Sequence, residues 1–201
     1  MFEIVCVTAR ALCPNDFLSQ LERVAAAGVD KILLREKDMP EPAYKALAAQ
    51  ALDLCRRYGT ECVVHNFPQT ARELGARALH LPLPRLRALS PEERAAFPAL
   101  GASCHSLEDV LAAEELGCSY GTLGHIFPTG CKPGLPARGV ELLAQVCQAS
   151  PLPVYAIGGI GPENIAQVKQ AGAAGACVMS GLMTAPDPAR LVSQLRKEAG
   201  E

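Results

Sequence analysis

Short apolar runs rich in Val, Ile and Leu recur along this chain, at Glu3–Thr8, Lys31–Arg35, Cys62–His65, Ala78–Leu81, Leu100–Ser103, Tyr120–Leu123, Val154–Ile157 and Ala176–Met179. Their length and content predict buried strands. Between most of them apolar residues fall three and four apart, which predicts helices over Ala43–Arg57, Leu107–Leu116, Val140–Cys147 and Pro162–Ala171. Ser106 stands before Leu-Glu-Asp as a helix start, and Gly161–Pro162 opens the segment that carries Asn164. Over Pro82–Pro98 proline and arginine dilute the periodicity, so irregular chain or a short helix is expected there.

Strands separated by helical stretches of this length indicate βαβ units and a parallel sheet. Four segments share one design, LERVAAAGVDKILLR, TARELGARALHLP, VLAAEELGCSYGTLG and VKQAGAAGACVMS. Each is a helix that ends near a glycine (Gly28, Gly75, Gly117, Gly172) and runs directly into a strand. With roughly two βα units to a period, four periods make eight strands. The expectation is a closed, parallel (β/α)8 TIM barrel, one domain over residues 1–201. At 201 residues the chain is short for a fold that typically needs about 250, so its connections must be tight. An open doubly wound sheet is the alternative, but no GxGxxG follows the first strand.

Composition narrows the class. Hydrophobic residues at 49% and charged residues at 20% are a globular balance. Aromatics are scarce and tryptophan is absent, so packing falls to Ala, Val, Leu and Ile. A formal charge of −2 with both signs mixed along the chain argues against a nucleic-acid partner. No run approaches the length of a membrane span, and MFEIVCVTAR reads as a first strand rather than a signal peptide. Nine cysteines without CxxC spacing, several inside apolar runs, read as free thiols of a reducing, cytoplasmic compartment.

In such a barrel the chemistry belongs at the C-terminal strand ends. Arg35, Glu36 and Lys37 follow the second strand, His65 and Asn66 the third, and Ser103 and His105 the fifth. His125, Thr129 and Lys132 follow the sixth, and His80 lies on the fourth. All four histidines therefore fall at or near one end. No HxH or HxxxE spacing is present, and Glu36 and Asp38 are the sole strand-end carboxylates, so no metal is expected. His80 reads as an interior histidine; His65 and His105 stand open between ligand contact and support. Two further loops, AIGGIGPEN and VMSGLM, place Gly158, Gly159, Ser180 and Gly181 after the last two strands, where these barrels commonly cradle phosphate. In Gly124–Gly134, GHIFPTGCKPG, turn chemistry stiffens a loop carrying His125 and Lys132. Imidazole is suited to carry a proton between two carbons of one substrate, and a lysine to neutralise an anion.

The landmarks LREK (34–37), HN (65–66), SCHS (103–106), GHIFPTGCKPGLPARG (124–139), AIGGI (156–160) and VMSG (178–181) resemble the thiamine-phosphate synthase superfamily over nearly the whole chain. Within it the sequence is most similar to the TenI-type thiazole tautomerases. The synthase branch has Asn-Asp after the third strand and HLGQ, then acidic residues, after the fourth; those acids hold magnesium for pyrophosphate. Here Asn66 is followed by Phe67, the fourth strand reads HLPL, and no acid lies between Leu81 and Ser90. Where the synthases usually have Gly-Pro, this chain has Gly124–His125.

The resemblance implies a cofactor-free isomerase acting on a small phosphorylated thiazole in thiamine biosynthesis. A dihydrothiazole carboxylate phosphate would become its aromatic isomer by a 1,3-proton shift. His125 is then the acid/base, Arg35 and Lys132 hold the carboxylate, and Asn66 and Ser103 add substrate contacts. Gly158, Gly159, Ser180 and Gly181 take the phosphate. Two alternatives stay open: a magnesium-dependent thiamine-phosphate synthase, and a phosphate-ligand-binding regulator without turnover. Apolar faces on the outer helices leave room for a homo-oligomer, with no surface identified.

Overall fold

The computed structural model describes residues 1–131 and 134–200. Eight strands run β1 Glu3–Val7, β2 Lys31–Leu34, β3 Glu61–His65, β4 Ala78–Pro82, β5 Ala99–Cys104, β6 Tyr120–Gly124, β7 Val154–Ile157 and β8 Gly175–Val178. They pair in sequence order, all parallel, and β8 closes onto β1 with Ile4 opposite Ala176. This is the TIM barrel expected from the alternating pattern, and the open sheet is excluded.

Helices α1 Phe17–Ala26, α2 Glu41–Tyr58, α3 Pro68–Glu73, α6 Leu107–Glu115, α7 Gly139–Ala149, α8 Ile165–Gln170 and α10 Pro188–Glu198 surround the strands. The diluted stretch after β4 forms two short helices, α4 Leu83–Arg87 and α5 Pro91–Ala95, and a one-turn helix α9, Ser180–Thr184, follows β8. Side-chain caps set several starts. Asp16 accepts from the Ser19 amide at 2.8 Å, Ser106 from the Asp109 amide at 3.2 Å, and Ser90 forms a reciprocal pair with Glu93. The four helix-ending glycines of the repeat all lie at positive φ, Gly28 at 81° for example.

One expected boundary moves. The helix after β7 begins at Ile165, not Pro162. Asn164 accepts from the Gly161 amide through Oδ1 at 2.9 Å and donates from Nδ2 to the Gly159 carbonyl at 2.8 Å. Its side chain thereby holds the preceding residues in a turn that competes with helix.

Strand side chains alternate between two cores. Ile4, Cys6, Ile32, Leu34, Val64, Leu79, Leu81, Leu100 and Leu123 face the helices. Val5, Val7, Leu33, Val63, Ala78, Tyr120, Tyr155 and Cys177 fill the barrel. The base is closed by charge: the Lys31 ammonium lies 2.5 Å from Glu3 and 3.6 Å from Glu61, and the Tyr155 hydroxyl donates to Glu3. All nine cysteines are free thiols, six of them buried. Among the described residues no helix is long and apolar enough to cross a membrane.

Candidate active site

The alternation that sends Val5, Leu33 and Val63 into the barrel sends Val7, Arg35 and His65 inward one step higher. A cavity of about 370 Å³ opens at that end. Its lining includes Arg35, Lys37, His65, His80, Ser103, Thr122, His125, Gly158, Gly159 and Ser180, together with His105. All four histidines of the chain thus meet in one cavity, which no strict sequence spacing between them reveals. No Asp or Glu is among the described residues of the lining. With an arginine and a lysine in its wall, the cavity is built for an anion.

Glu36 explains part of this asymmetry. It is buried and turned away, accepting from the Thr8 hydroxyl at 2.7 Å and from the Arg10 amide at 3.0 and 3.1 Å. Thr8 in turn accepts from the Arg35 amide at 2.8 Å, so the carboxylate fixes the backbone from which Arg35 projects. Asp38 is spent on Arg10 at the surface, 3.4 Å away. Burial pulls the Arg35 guanidinium below its ordinary value and Glu36 pulls it back up. It remains a cation at neutral pH.

The histidines divide by environment. Burial, then the charges of neighbouring groups, lowers His65 to about 3, and burial followed by Arg35 does the same to His80. Both rings are neutral at physiological pH and stack with centroids 6.0 Å apart. His105 donates from Nδ1 to the Gly124 carbonyl at 3.0 Å, where Arg138 also donates from Nε at 2.9 Å. His125, 6% exposed, follows a cis Gly124–His125 peptide, and its Nε2 lies 3.3 Å from the Leu135 carbonyl. A carbonyl can only accept, so Nε2 carries a hydrogen and Nδ1 is the nitrogen left to face the cavity chemistry.

Gly158 and Gly159 line the cavity and also let two loops touch. The β6 loop continues along β7, with the Ile126 amide on the Ile157 carbonyl and the Phe127 amide on the Gly158 carbonyl, both at 3.0 Å. A methyl at Gly158 would stand 2.3 Å from the His125 Cβ, and one at Gly159 would stand 2.5 Å from the Pro128 carbonyl oxygen. Gly158 also has φ 104°, a region side chains avoid. Gly158→Ala is therefore expected to destabilise the fold by about 2–5 kcal/mol, from backbone strain plus overpacking. A urea midpoint within error of wild type would contradict the close approach.

Other expected residues fall differently. Arg35, Ser103, His125, Gly158, Gly159 and Ser180 are in the wall. Asn66 and Gly181 are not among the lining residues. Asn66 has φ 72° and gives its carbonyl to Arg85 at 2.7 Å, serving the turn after β3. Gly181 packs towards Val178, 3.2 Å from where its Cβ would be. Lys132 lies outside the described residues. Thr122, Cys177 and Met179 also line the cavity and escaped the sequence reading, although counting by twos from Tyr120 and Gly175 reaches them.

A family model described as thiamine monophosphate synthase matches residues 4–182. A thiamine-phosphate synthase of Thermus thermophilus is 38% identical over 183 residues, covering 90% of this chain and 87% of that protein. The thiamine biosynthesis bifunctional protein ThiM/ThiE of Symbiobacterium thermophilum is 36% identical over 193 residues, which is 90% of this chain but 39% of that larger protein. Among solved structures, thiamine phosphate pyrophosphorylase from Pyrococcus furiosus superposes with a TM-score of 0.85 at 28% identity, covering 98% of this chain and 95% of that one. The match spans the barrel from its first strand through the loop after its last, and on it the chain belongs to the thiamine monophosphate synthase family.

Proposed function

We propose that this member of the family is a thiazole tautomerase, converting a dihydrothiazole carboxylate phosphate to the aromatic carboxythiazole phosphate without a cofactor. The observation that carries the reading is the cavity wall: cationic, rich in histidine, with no carboxylate among its described residues. Arg35 receives the substrate carboxylate in its planar fork. Gly158, Gly159 and Ser180 face the phosphate from the last two loops. His125 takes the ring proton on Nδ1, the electron pair moves through the exocyclic double bond, and the same proton returns at the exocyclic carbon. Atoms and electrons balance within the substrate, and aromatisation drives the step.

The names of the relatives weigh towards a second reading, a thiamine-phosphate synthase, which is a transferase that releases pyrophosphate. That chemistry in this family uses magnesium, an ion that needs several hard oxygen ligands. The wall offers imidazoles and cations instead, and Glu36 is already committed to Thr8 and Arg10. Magnesium does not fit the residues present.

The two readings part in one assay. Purified protein is given the dihydrothiazole carboxylate phosphate, and the aromatic product is followed by absorbance with and without EDTA. Acceleration over the spontaneous rate, unchanged by EDTA, is expected. No acceleration, together with magnesium-dependent condensation when the pyrimidine pyrophosphate is supplied, would replace the isomerase with the transferase.

A further inference from the structure

His80 takes no part in the proposed proton shift, yet its ring is the most fully hydrogen-bonded of the four. Its Nδ1 lies 3.1 Å from the Tyr120 hydroxyl and its Nε2 lies 2.9 Å from the Ser103 hydroxyl. Tyr120 is buried at 8% exposure and His80 at 1%, whereas Ser103 lines the cavity. The chain of contacts runs from the barrel interior to the mouth.

Its direction follows from what each group can do. Among the described residues the Tyr120 hydroxyl meets His80 and no other hydrogen-bond partner. A buried phenol whose proton finds no acceptor costs about 1–3 kcal/mol, so the phenol donates and Nδ1 accepts. Burial and Arg35 keep the ring neutral, leaving one hydrogen, which must sit on Nε2. Nε2 then donates to the Ser103 oxygen.

Space for this arrangement is provided by a glycine on β5. A methyl on Gly101 would lie 2.1 Å from Tyr120 Cζ, 2.5 Å from its hydroxyl and 2.6 Å from His80 Nδ1. The Tyr120–His80 contact therefore occupies the place of the missing side chain. Ring packing supports it from the other side, with Tyr120 edge-on to Tyr155 at 5.3 Å.

We propose that Tyr120 and His80 are positioning residues that lock the Ser103 hydroxyl as a hydrogen-bond donor, so that Ser103 selects a ligand presenting an acceptor oxygen at that wall of the cavity. The ligand class rests on the tautomerase reading, in which the acceptor is an oxygen of the substrate carboxylate. The orientation of the relay does not. Neither Tyr120 nor His80 touches the reacting carbons; both act through Ser103.

Two measurements decide it. Nitrogen-15 NMR of the ligand-free protein at neutral pH is expected to show His80 as the Nε2–H tautomer, and Tyr120→Phe is expected to weaken or lose that single form. An Nδ1–H tautomer in the wild type would overturn the relay. The second is a double-mutant cycle on carboxythiazole phosphate affinity. Ser103→Ala is expected to weaken binding roughly ten- to a hundred-fold, the range for a hydrogen bond to a charged group. Tyr120→Phe should weaken it by a similar direction and scale, and Tyr120→Phe added to Ser103→Ala should cost nothing further. Additive losses would make Tyr120 merely structural. A wild-type protein that does not bind this compound would remove the proposed substrate, while the ligand-free tautomer would still decide the relay.

Discussion

His125→Asn is expected to lower turnover of the dihydrothiazole carboxylate phosphate by about 10²–10⁴-fold, the usual contribution of positioned acid–base catalysis. Affinity for the aromatic product should stay within a few-fold, because Arg35 and the phosphate loops are untouched. The resemblance implies His125 for this role, and the surroundings of the other rings support it. His65 and His80, both held neutral to about pH 3, cannot take a proton from carbon and keep it at working pH. His105 is exposed, with its Nδ1 given to the Gly124 carbonyl. His125 alone is buried in the mouth with a basic nitrogen left over after its bond to Leu135. Asparagine keeps a donor for that carbonyl but has no basic nitrogen, so the substitution separates proton transfer from loop anchoring. Near-wild-type kcat in this variant would remove His125 from the mechanism. A loss confined to KM would make it a binding residue.

The barrel was legible because its two periodicities are strong. Runs such as KILL and ECVVH are short and apolar, and the helices between them end on glycine in a repeated way. The site was legible in position but not in division of labour. Sequence places His65, His80, His105 and His125 at strand ends, but only three dimensions show burial, and after it Arg35, suppressing His80. The resemblance implies a substrate contact for Asn66, which ends a strand beside His65. In the structure its left-handed backbone makes the turn after β3, and it is not among the lining residues of the cavity. Glu36 was equally ambiguous, since a strand-end carboxylate can face the mouth or the loop. The Thr8 hydroxyl and Arg10 amide, more than twenty residues away in sequence, decide for the loop. Long-range partners of this kind leave no local signature.

Acidification is expected to destabilise the protein steeply from pH 6.5 downward, beginning before most carboxylates titrate. In the unfolded chain His65 and His80 each take a proton as pH falls through the ordinary value of 6.5. In the folded chain each stays neutral to about 3. Across that window the unfolded state binds more protons, so stability rises with pH and is complete above 6.5. Each ring contributes up to about 1.4 kcal/mol per pH unit, and the pair should lose about 2–3 kcal/mol between pH 6 and pH 5. Urea midpoints at pH 7, 6 and 5 measure it, and this range stays above the ordinary value of Glu3, which burial raises but its Lys31 and Tyr155 partners together bring lower. His65→Gln/His80→Gln should flatten the dependence; an unchanged slope would place the acid sensitivity elsewhere. A proton forced onto the folded His80 ring, near pH 3, would also undo the mouth. A protonated His80 has no acceptor for the Tyr120 hydroxyl, and a second cation beside Arg35 is repelled. Between pH 6.5 and 3 the protein should therefore lose stability while its folded molecules keep the Ser103 orientation, because His80 stays neutral in the folded chain across that window.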